Sequence, residues 1–188
     1  GKISEMRDPY TAGHQQRVAK LAYAIAQEMG LSEEQKKGIY MAAMIHDVGK
    51  IRVPSEILTN PTGLTKSEFD MIKTHPQNGY EILKSVKFSY PIAQIIFQHH
   101  ERIDGSGYPQ GLSGKSILLE ARILAVADTV EAMSIQRPYR PALGIQKAIK
   151  EIVNKKGILY DPDVVDACLK VFENGFNFEE ETKEQRRG

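Results

Sequence analysis

Apolar residues recur at intervals of three and four along most of this 188-residue chain, a spacing that places them on one side of an α-helix. The first such stretch covers residues 15–29 and includes Val18, Leu21 and Ile25. Gly30 follows it, where glycine commonly ends a helix. No run of alternating apolar and polar residues is long enough to indicate a sheet. The pattern therefore predicts an all-α helical bundle.

Helix-start signals support this prediction. Two capping boxes, Ser32 with Gln35 and Thr65 with Glu68, each predict that a helix begins directly after the first residue of the pair. Further starts are predicted where proline stands at an early helical position: Pro54, Pro76, Pro91 and Pro162, the last behind the N-cap Asp161. Residues 117–133 are apolar almost all round, and this stretch is long enough to favour a central helix over a buried strand. Another helix is predicted over residues 142–153.

Composition narrows the class of protein. Hydrophobic residues make up 41% and charged residues 26%, and no apolar run reaches the ~18 residues needed to cross a membrane. Lys and Arg number 25 against 24 Asp and Glu, which argues against the broad basic surface that binds nucleic acid polymers. Any phosphate binding should therefore be local. The single cysteine, Cys168, excludes an internal disulfide, and with no signal peptide before the first helix we expect a cytoplasmic protein.

His46, Asp47 and Lys50 form the first group that could carry chemistry. Lys50 follows His46 by four positions and should share its helix face. Imidazole and carboxylate are good ligands for Fe, Mn or Zn, and a neighbouring lysine can hold a phosphate or protonate a leaving oxygen. A helix-capping pair with a solvated lysine would fit the same three residues.

Asp128 closes an apolar run, where an unpaired carboxylate would cost several kcal/mol to bury. A metal ion would compensate its charge. An arginine, such as Arg122 or Arg137, would do so equally well. The sequence leaves both partners open.

The remaining histidines also stand near helix ends or acidic residues. His14 and His75 begin helices, where capping or solvent exposure is the ordinary role. His99 and His100 are consecutive, so on a helix they point about 100° apart and could face different metals or flank one site. Together with His46 they account for all five histidines, which favours a common metal site over five unrelated surface roles.

Two further motifs lie downstream of these histidines. Residues 104–109 (DGSGYP) form a glycine-rich turn after Glu101, which lacks the lysine pattern of a P-loop and would also fit a tight surface turn. Arg137 and Arg140 flank a Pro-Tyr pair, and their guanidinium groups suit bidentate phosphate binding or structural ion pairs.

The motifs at 46–50 (HDVGK), 99–102 (HHER), 104–109 (DGSGYP) and 137–140 (RPYR), in this order, resemble the HD-GYP family, and the resemblance extends from residue 7 to about 171. It implies an HD-superfamily helical bundle and a metal-dependent phosphodiesterase that hydrolyses cyclic di-GMP, a bacterial second messenger, to pGpG and in some members to GMP. We expect residues 1–175 to form the catalytic domain and residues 176–188 a charged, disordered tail. We also expect a sensory domain to belong to the full-length protein.

The resemblance implies the following metal ligands: His14, His46, Asp47, His75, His99, His100 and Asp128. Asp47 would bridge two divalent ions, with Fe or Mn expected. A glutamate that helps hold a third metal in some members is replaced here by Tyr10, so two ions are expected.

Catalytic roles are expected for Asp47, Lys50 and Asp8, the last orienting water or a metal ligand. Hydroxide formed between the ions would attack phosphorus in line, with Lys50 assisting the leaving 3′ oxygen. The expected substrate contacts are Lys50, Tyr108, Glu131, Arg137 and Arg140. The glycine-rich turn is expected to shape the rim of the site or to contact protein partners.

Two rival functions remain. In one, the chain is a mononuclear HD-type nucleotide phosphohydrolase that uses only His14, His46, Asp47 and Asp128. In the other, it is a catalytically silent module that binds cyclic dinucleotides or docks on proteins. Spacing alone does not separate cyclic di-GMP from mixed cyclic GMP-AMP as the substrate.

Overall fold

The computed structural model describes residues 13–60, 63–135 and 144–178. The α-helices of these ranges are α1 (His14–Glu28), α2 (Glu33–Ile45), α3 (Ser55–Leu58), α4 (Lys66–Ile72), α5 (His75–Leu83), α6 (Ile92–Gln98), α7 (Leu119–Ser134), α8 (Ile145–Asn154) and α9 (Pro162–Glu173). Two 3₁₀ helices cover Val48–Arg52 and Gly114–Ser116. Within the described ranges, β pairing is limited to isolated bridges. The all-α prediction is confirmed.

Most helices begin where the sequence signals place them. Ser32 and Thr65 each form a complete capping box, and the Asp161 side chain accepts hydrogen bonds from the first turn of α9. Pro91 differs from the prediction because it is the N-cap of α6, so this helix begins one residue later than expected. The predicted helix over 142–153 is described from Ile145 onward, as α8.

The central helix of the bundle is α7, which packs against α1, α8 and α9. Its residues Ile123, Leu124, Val126 and Val130 are fully buried, which explains why the sequence is apolar almost all round. α1 packs in turn against α2 and α9. Because α7 is enclosed by other helices, a polar group on it is held inside the protein at a defined place.

A close backbone contact joins the first 3₁₀ helix to α5. A Cβ atom at Gly49 would lie only 1.9 Å from the carbonyl oxygen of His75 and 2.5 Å from the backbone nitrogen of Gly79. Only glycine permits this approach. It brings Asp47 and Lys50, which lie on either side of Gly49, next to the start of α5.

The described core extends past residue 175, where we expected the catalytic domain to end. Phe178 is only 7% exposed, and its ring and that of Phe176 contact Phe172 on α9. Residues 179–188, the rest of the expected tail, lie outside the described residues. In the part of the chain that is described, no helix combines the length and apolar character needed to span a membrane.

Candidate metal centre

Four histidines are placed by helix ends. His14 and His75 are the first residues of α1 and α5, while His46 and His99 directly follow α2 and α6. All four are at most 3% exposed. Asp128 lies within α7 and faces them. The bundle therefore gathers side chains that are far apart in sequence into one buried site.

The first cluster consists of His14, His46 and Asp128. The Nε2 atoms of the two histidines lie 3.3 Å and 3.9 Å from Oδ1 of Asp128, and ligand atoms from the three residues lie within 4.8 Å of one another. Metal–ligand bonds to such atoms are about 2.0–2.2 Å long. The spacing therefore allows the three side chains to share one ion.

The second cluster consists of His75, His99 and His100, whose ligand atoms also lie within 4.8 Å of one another. Nδ1 of His75 and Nδ1 of His99 bond to the carbonyl oxygens of Ile72 and Ile96, at 2.7 Å and 2.6 Å. A neutral imidazole that donates through Nδ1 carries a lone pair on Nε2.

The two Nε2 lone pairs of His75 and His99 face each other at 3.3 Å. They would repel one another without a cation between them. Two nitrogens bound to one ion at about 2.1 Å lie roughly 3.0–3.4 Å apart in tetrahedral or octahedral geometry. The donor set and its spacing thus fit a metal ion.

Asp47 lies between the clusters. Its Oδ2 is 3.7 Å from His46 Nε2 and its Oδ1 is 3.6 Å from His75 Nε2, so one oxygen faces each cluster. Lys50 Nζ donates to Oδ2 at 2.8 Å. Although burial opposes ionisation, Lys50, His46 and His75 hold the pKa of Asp47 well below its usual value. A carboxylate in this position is able to bridge two ions.

Hydrogen bonds that the histidines make through Nδ1 leave Nε2 as the nitrogen that faces the centre. His46 Nδ1 bonds to the Ala43 carbonyl oxygen at 2.7 Å, just as Nδ1 of His75 and of His99 bonds to a carbonyl oxygen. His14 is the exception, because its Nδ1 bonds to the Glu131 carboxylate. Such outer partners orient ligating histidines and select their tautomer.

Glu131 was expected to contact substrate, but its carboxylate has other partners. Oε2 meets His14, and Oε1 accepts from Arg17 Nε at 2.8 Å and from Nη2 at 2.7 Å. The side chain is 1% exposed. Glu131 therefore lies on the side of the His14 ring away from Asp128, where it can orient the ring. The sequence signal available for this role was an acidic residue three positions after Asp128.

Burial and neighbouring carboxylates shift the pKa values of the histidines in different directions. Burial lowers the pKa of His75 to about 4 and that of His99 to about 3, and it also lowers the pKa of His100. Burial opposes the charge of His14 as well, but hydrogen bonds to Asp128 and Glu131 raise its pKa to about 9. At neutral pH the second cluster is thus uncharged and free to ligate, whereas a cation at the first cluster must displace a proton.

The glycine-rich turn forms a wall beside the second cluster. The Tyr108 ring stacks on the His100 ring, with centroids 4.8 Å apart and an interplanar angle of 28°. A Cβ atom at Gly107 would lie 2.4 Å from the Arg102 nitrogen and 2.5 Å from the His100 oxygen, so the turn can approach this closely only with glycine there. The turn therefore belongs to the site.

Glu101 holds this turn in place, a role that sequence reasoning did not assign. It is 2% exposed, and its carboxylate accepts hydrogen bonds from the backbone nitrogens of Gln110 and Leu112 at 2.7 Å and 3.0 Å. Because both bonds reach across the turn, Glu101 links the double histidine to the segment that follows residue 109.

Arg122 is not the residue that compensates the charge of Asp128. Arg122 pairs with Asp161 at the start of α9, whereas Asp128 faces His14 and His46. Asp8, Tyr10, Arg137 and Arg140 lie outside the described residues, so their expected roles remain predictions.

Comparison with known proteins agrees with this fold. The family model for the HD domain matches residues 2–164. The chain is 44% identical over 168 residues to the cyclic di-GMP phosphodiesterase response regulator RpfG of Xanthomonas campestris pv. campestris, with 88% of this chain and 44% of that protein covered. It is 44% identical over 173 residues to a cyclic di-GMP phosphodiesterase of Thermotoga maritima, with 90% and 46% covered.

A third relative is the 3′3′-cGAMP-specific phosphodiesterase 3 of Vibrio cholerae, 36% identical over 170 residues, with 90% of this chain and 37% of that protein covered. Among solved structures, Bd1817, an HD-GYP-type protein of Bdellovibrio bacteriovorus, matches with a TM-score of 0.70 at 21% identity, covering 85% of this chain and 51% of that one. The chain thus spans less than half the length of the curated relatives.

An all-α bundle around a buried His–Asp centre is the architecture of the metal-dependent HD phosphohydrolases. The match over residues 2–164 shows that this chain belongs to the HD domain family, and its motifs and relatives place it in the HD-GYP group.

Proposed function

We propose that this domain is a metal-dependent phosphodiesterase that hydrolyses a cyclic dinucleotide. The observation that carries the proposal is the position of Asp47, whose two oxygens face two clusters of ligands at 3.7 Å and 3.6 Å. Relatives at 44% identity named as cyclic di-GMP phosphodiesterases support cyclic di-GMP as the substrate. The proposed product is linear pGpG, and the assay below tests whether GMP follows it. The relative specific for cyclic GMP-AMP makes this mixed dinucleotide the first alternative substrate to test.

The site would hold two divalent ions, one at each cluster, with Asp47 shared between them. The cluster donors are imidazole nitrogens and carboxylate oxygens, a set that suits Fe and Mn. When bound, such ions supply an activated water and positive charge to offset the charge that develops on phosphate.

Lys50 is proposed to act on the substrate. Its ammonium donates to Asp47 at 2.8 Å, and its side chain remains 18% exposed. From this position it can hold a phosphate oxygen or donate a proton to the leaving 3′ oxygen. Tyr108, Arg137 and Arg140 are proposed as further substrate contacts, and Asp8 as a residue that orients water or a ligand.

The mononuclear alternative uses only the first cluster with Asp47. It leaves no cation between the facing Nε2 lone pairs of His75 and His99, which would repel each other. We therefore favour the binuclear site. We propose that residues 1–175 form the catalytic part of the full-length protein, together with Phe176 and Phe178, whose rings pack on α9. We also propose that this part works in the cytoplasm under the control of a sensory domain and that the glycine-rich turn contacts protein partners.

The test is direct hydrolysis. The protein would be purified without oxygen, loaded separately with Fe(II) and Mn(II), and its bound metal measured before cyclic di-GMP, pGpG and GMP are followed by chromatography. We expect conversion that Asp47→Ala abolishes. Asp166→Ala, which removes an exposed aspartate on α9, should leave the rate unchanged.

The same experiment separates the rival functions. Substrate that binds to the fully loaded protein but is never cleaved would identify a silent binding module. Full activity with one ion per chain would identify a mononuclear enzyme.

A further inference from the structure

A cation between two aromatic rings lies next to the second cluster. Lys73 Nζ is 4.7 Å from the centroid of the Phe69 ring and 5.8 Å from that of Tyr108. The Tyr108 ring stacks in turn on His100. We call Phe69, Lys73 and Tyr108 the aromatic ledge. It runs from the metal centre to the surface of α4.

Phe69 takes little part in the core. Its side chain is 47% exposed, and no residue of α4 is buried. Lys73 is also accessible, with 37% side-chain exposure and one exposed ion pair to Asp70 at 3.4 Å. Because exposed pairs of this kind contribute little free energy, the ammonium can exchange its partner readily.

These groups match the chemistry of a nucleobase. Stacking of a base on an aromatic side chain is worth about 1–3 kcal/mol. A lysine ammonium pairs well with guanine, whose N7 and O6 are both acceptors, and less well with adenine, which presents an amino donor in place of O6.

We propose that the aromatic ledge is the base subsite of the enzyme: a guanine of the cyclic dinucleotide stacks on Phe69 while Lys73 donates to its N7 and O6. This inference rests on the proposed function, since it needs a cyclic dinucleotide at the metal centre. It adds the residues that select the base.

The chain contains no tryptophan, so Phe69→Trp introduces a single tryptophan. We expect saturable quenching of this tryptophan when a hydrolysis-resistant phosphorothioate analogue of cyclic di-GMP is added to the metal-loaded protein. Met71→Trp is the matched control, because Met71 is 44% exposed on the same helix but is not a residue of the aromatic ledge. It should show no saturable quenching.

Kinetics supply the second readout. Phe69→Leu should raise KM for cyclic di-GMP by about 5- to 150-fold with little change in kcat, the equivalent of losing one stacked base, and Phe69→Tyr should restore it. Lys73→Met should raise KM for cyclic di-GMP more than KM for cyclic di-AMP.

The outcomes distinguish this inference from the proposed function. Wild-type hydrolysis with unchanged kinetics in Phe69→Leu and no quenching in Phe69→Trp would overturn the ledge and leave the function intact. Saturable quenching in Phe69→Trp, together with a wild-type protein that cleaves no cyclic dinucleotide, would support the ledge and overturn the function. Absence of both signals would overturn both.

Discussion

At the scale of single residues, the centre depends on how each imidazole is oriented. Three histidines donate through Nδ1 to the carbonyl oxygen of the residue three positions before them, whereas His14 relies on Glu131, which comes from another helix. Glu131 is itself held by Arg17. The ring of His14 is thus positioned by a tertiary contact that a substitution can remove.

Glu131→Gln should weaken metal binding at the first cluster by about 10- to 100-fold, the usual effect of losing an outer carboxylate. The neutral amide is a weaker acceptor for His14 Nδ1 and a poorer partner for Arg17. Isothermal titration with Mn(II) would measure the effect, and Glu173→Gln, an exposed change in α9, serves as control. Equal affinities in the two variants would contradict the positioning role.

Cys168 gives a second prediction at this scale. Its side chain is fully buried, and burial raises the pKa of the thiol to about 12. Since the thiolate is the reactive form, native protein at pH 8 should react with a thiol reagent at least tenfold more slowly than protein unfolded in urea. Fast labelling of the native protein would show that α9 opens readily.

At the scale of elements, the contact between the first 3₁₀ helix and α5 joins the two clusters. Gly49→Ala should destabilise the protein by about 1–3 kcal/mol, as expected for overpacking, because the added methyl group would meet the backbone of His75 and Gly79. It should also separate Asp47 from His75 and reduce hydrolysis more than tenfold.

Urea unfolding and the chromatographic assay would measure the two effects of Gly49→Ala. Ile51→Ala, in the same 3₁₀ helix at a position that is 45% exposed, is the comparison and should change stability by less than about 0.5 kcal/mol. Full activity in Gly49→Ala would show that this contact does not position Asp47.

At the scale of the whole molecule, the ligands come from, or directly follow, α1, α2, α5, α6 and α7. A bound ion would therefore tie together helices from most of the chain. At about 100 times its dissociation constant, a ligand adds about 2.7 kcal/mol to the stability of the folded state.

Adding Mn(II) to metal-free protein should therefore raise Tm by roughly 5–10 °C for a chain of this size. Asp128→Asn, which weakens the first cluster, should lose part of the increase, and removal of metal with a chelator should reverse it. Unchanged Tm at saturating Mn(II) would contradict a metal site among these helices.

Local patterns in the sequence determined much of what the structure shows. Capping boxes at Ser32 and Thr65 and the N-cap at Asp161 depend on neighbouring residues, so they could be predicted without the fold. The position of all five histidines near helix ends or acidic residues could also be recognised from local sequence, and it indicated a metal site. The long motifs then indicated the HD-GYP family.

Only the tertiary structure decided which groups meet across long separations. That Asp128 faces His14 and His46 while Arg122 turns to Asp161 depends on the packing of α7 against α1 and α9. The contacts of Glu131 with His14 and of Lys73 with the Tyr108 ring likewise join distant segments. Glu101 reaches across the glycine-rich turn, to residues nine and eleven positions away. Helix propensities and caps act within a few residues, whereas these partners are chosen by how the buried faces of the helices pack together.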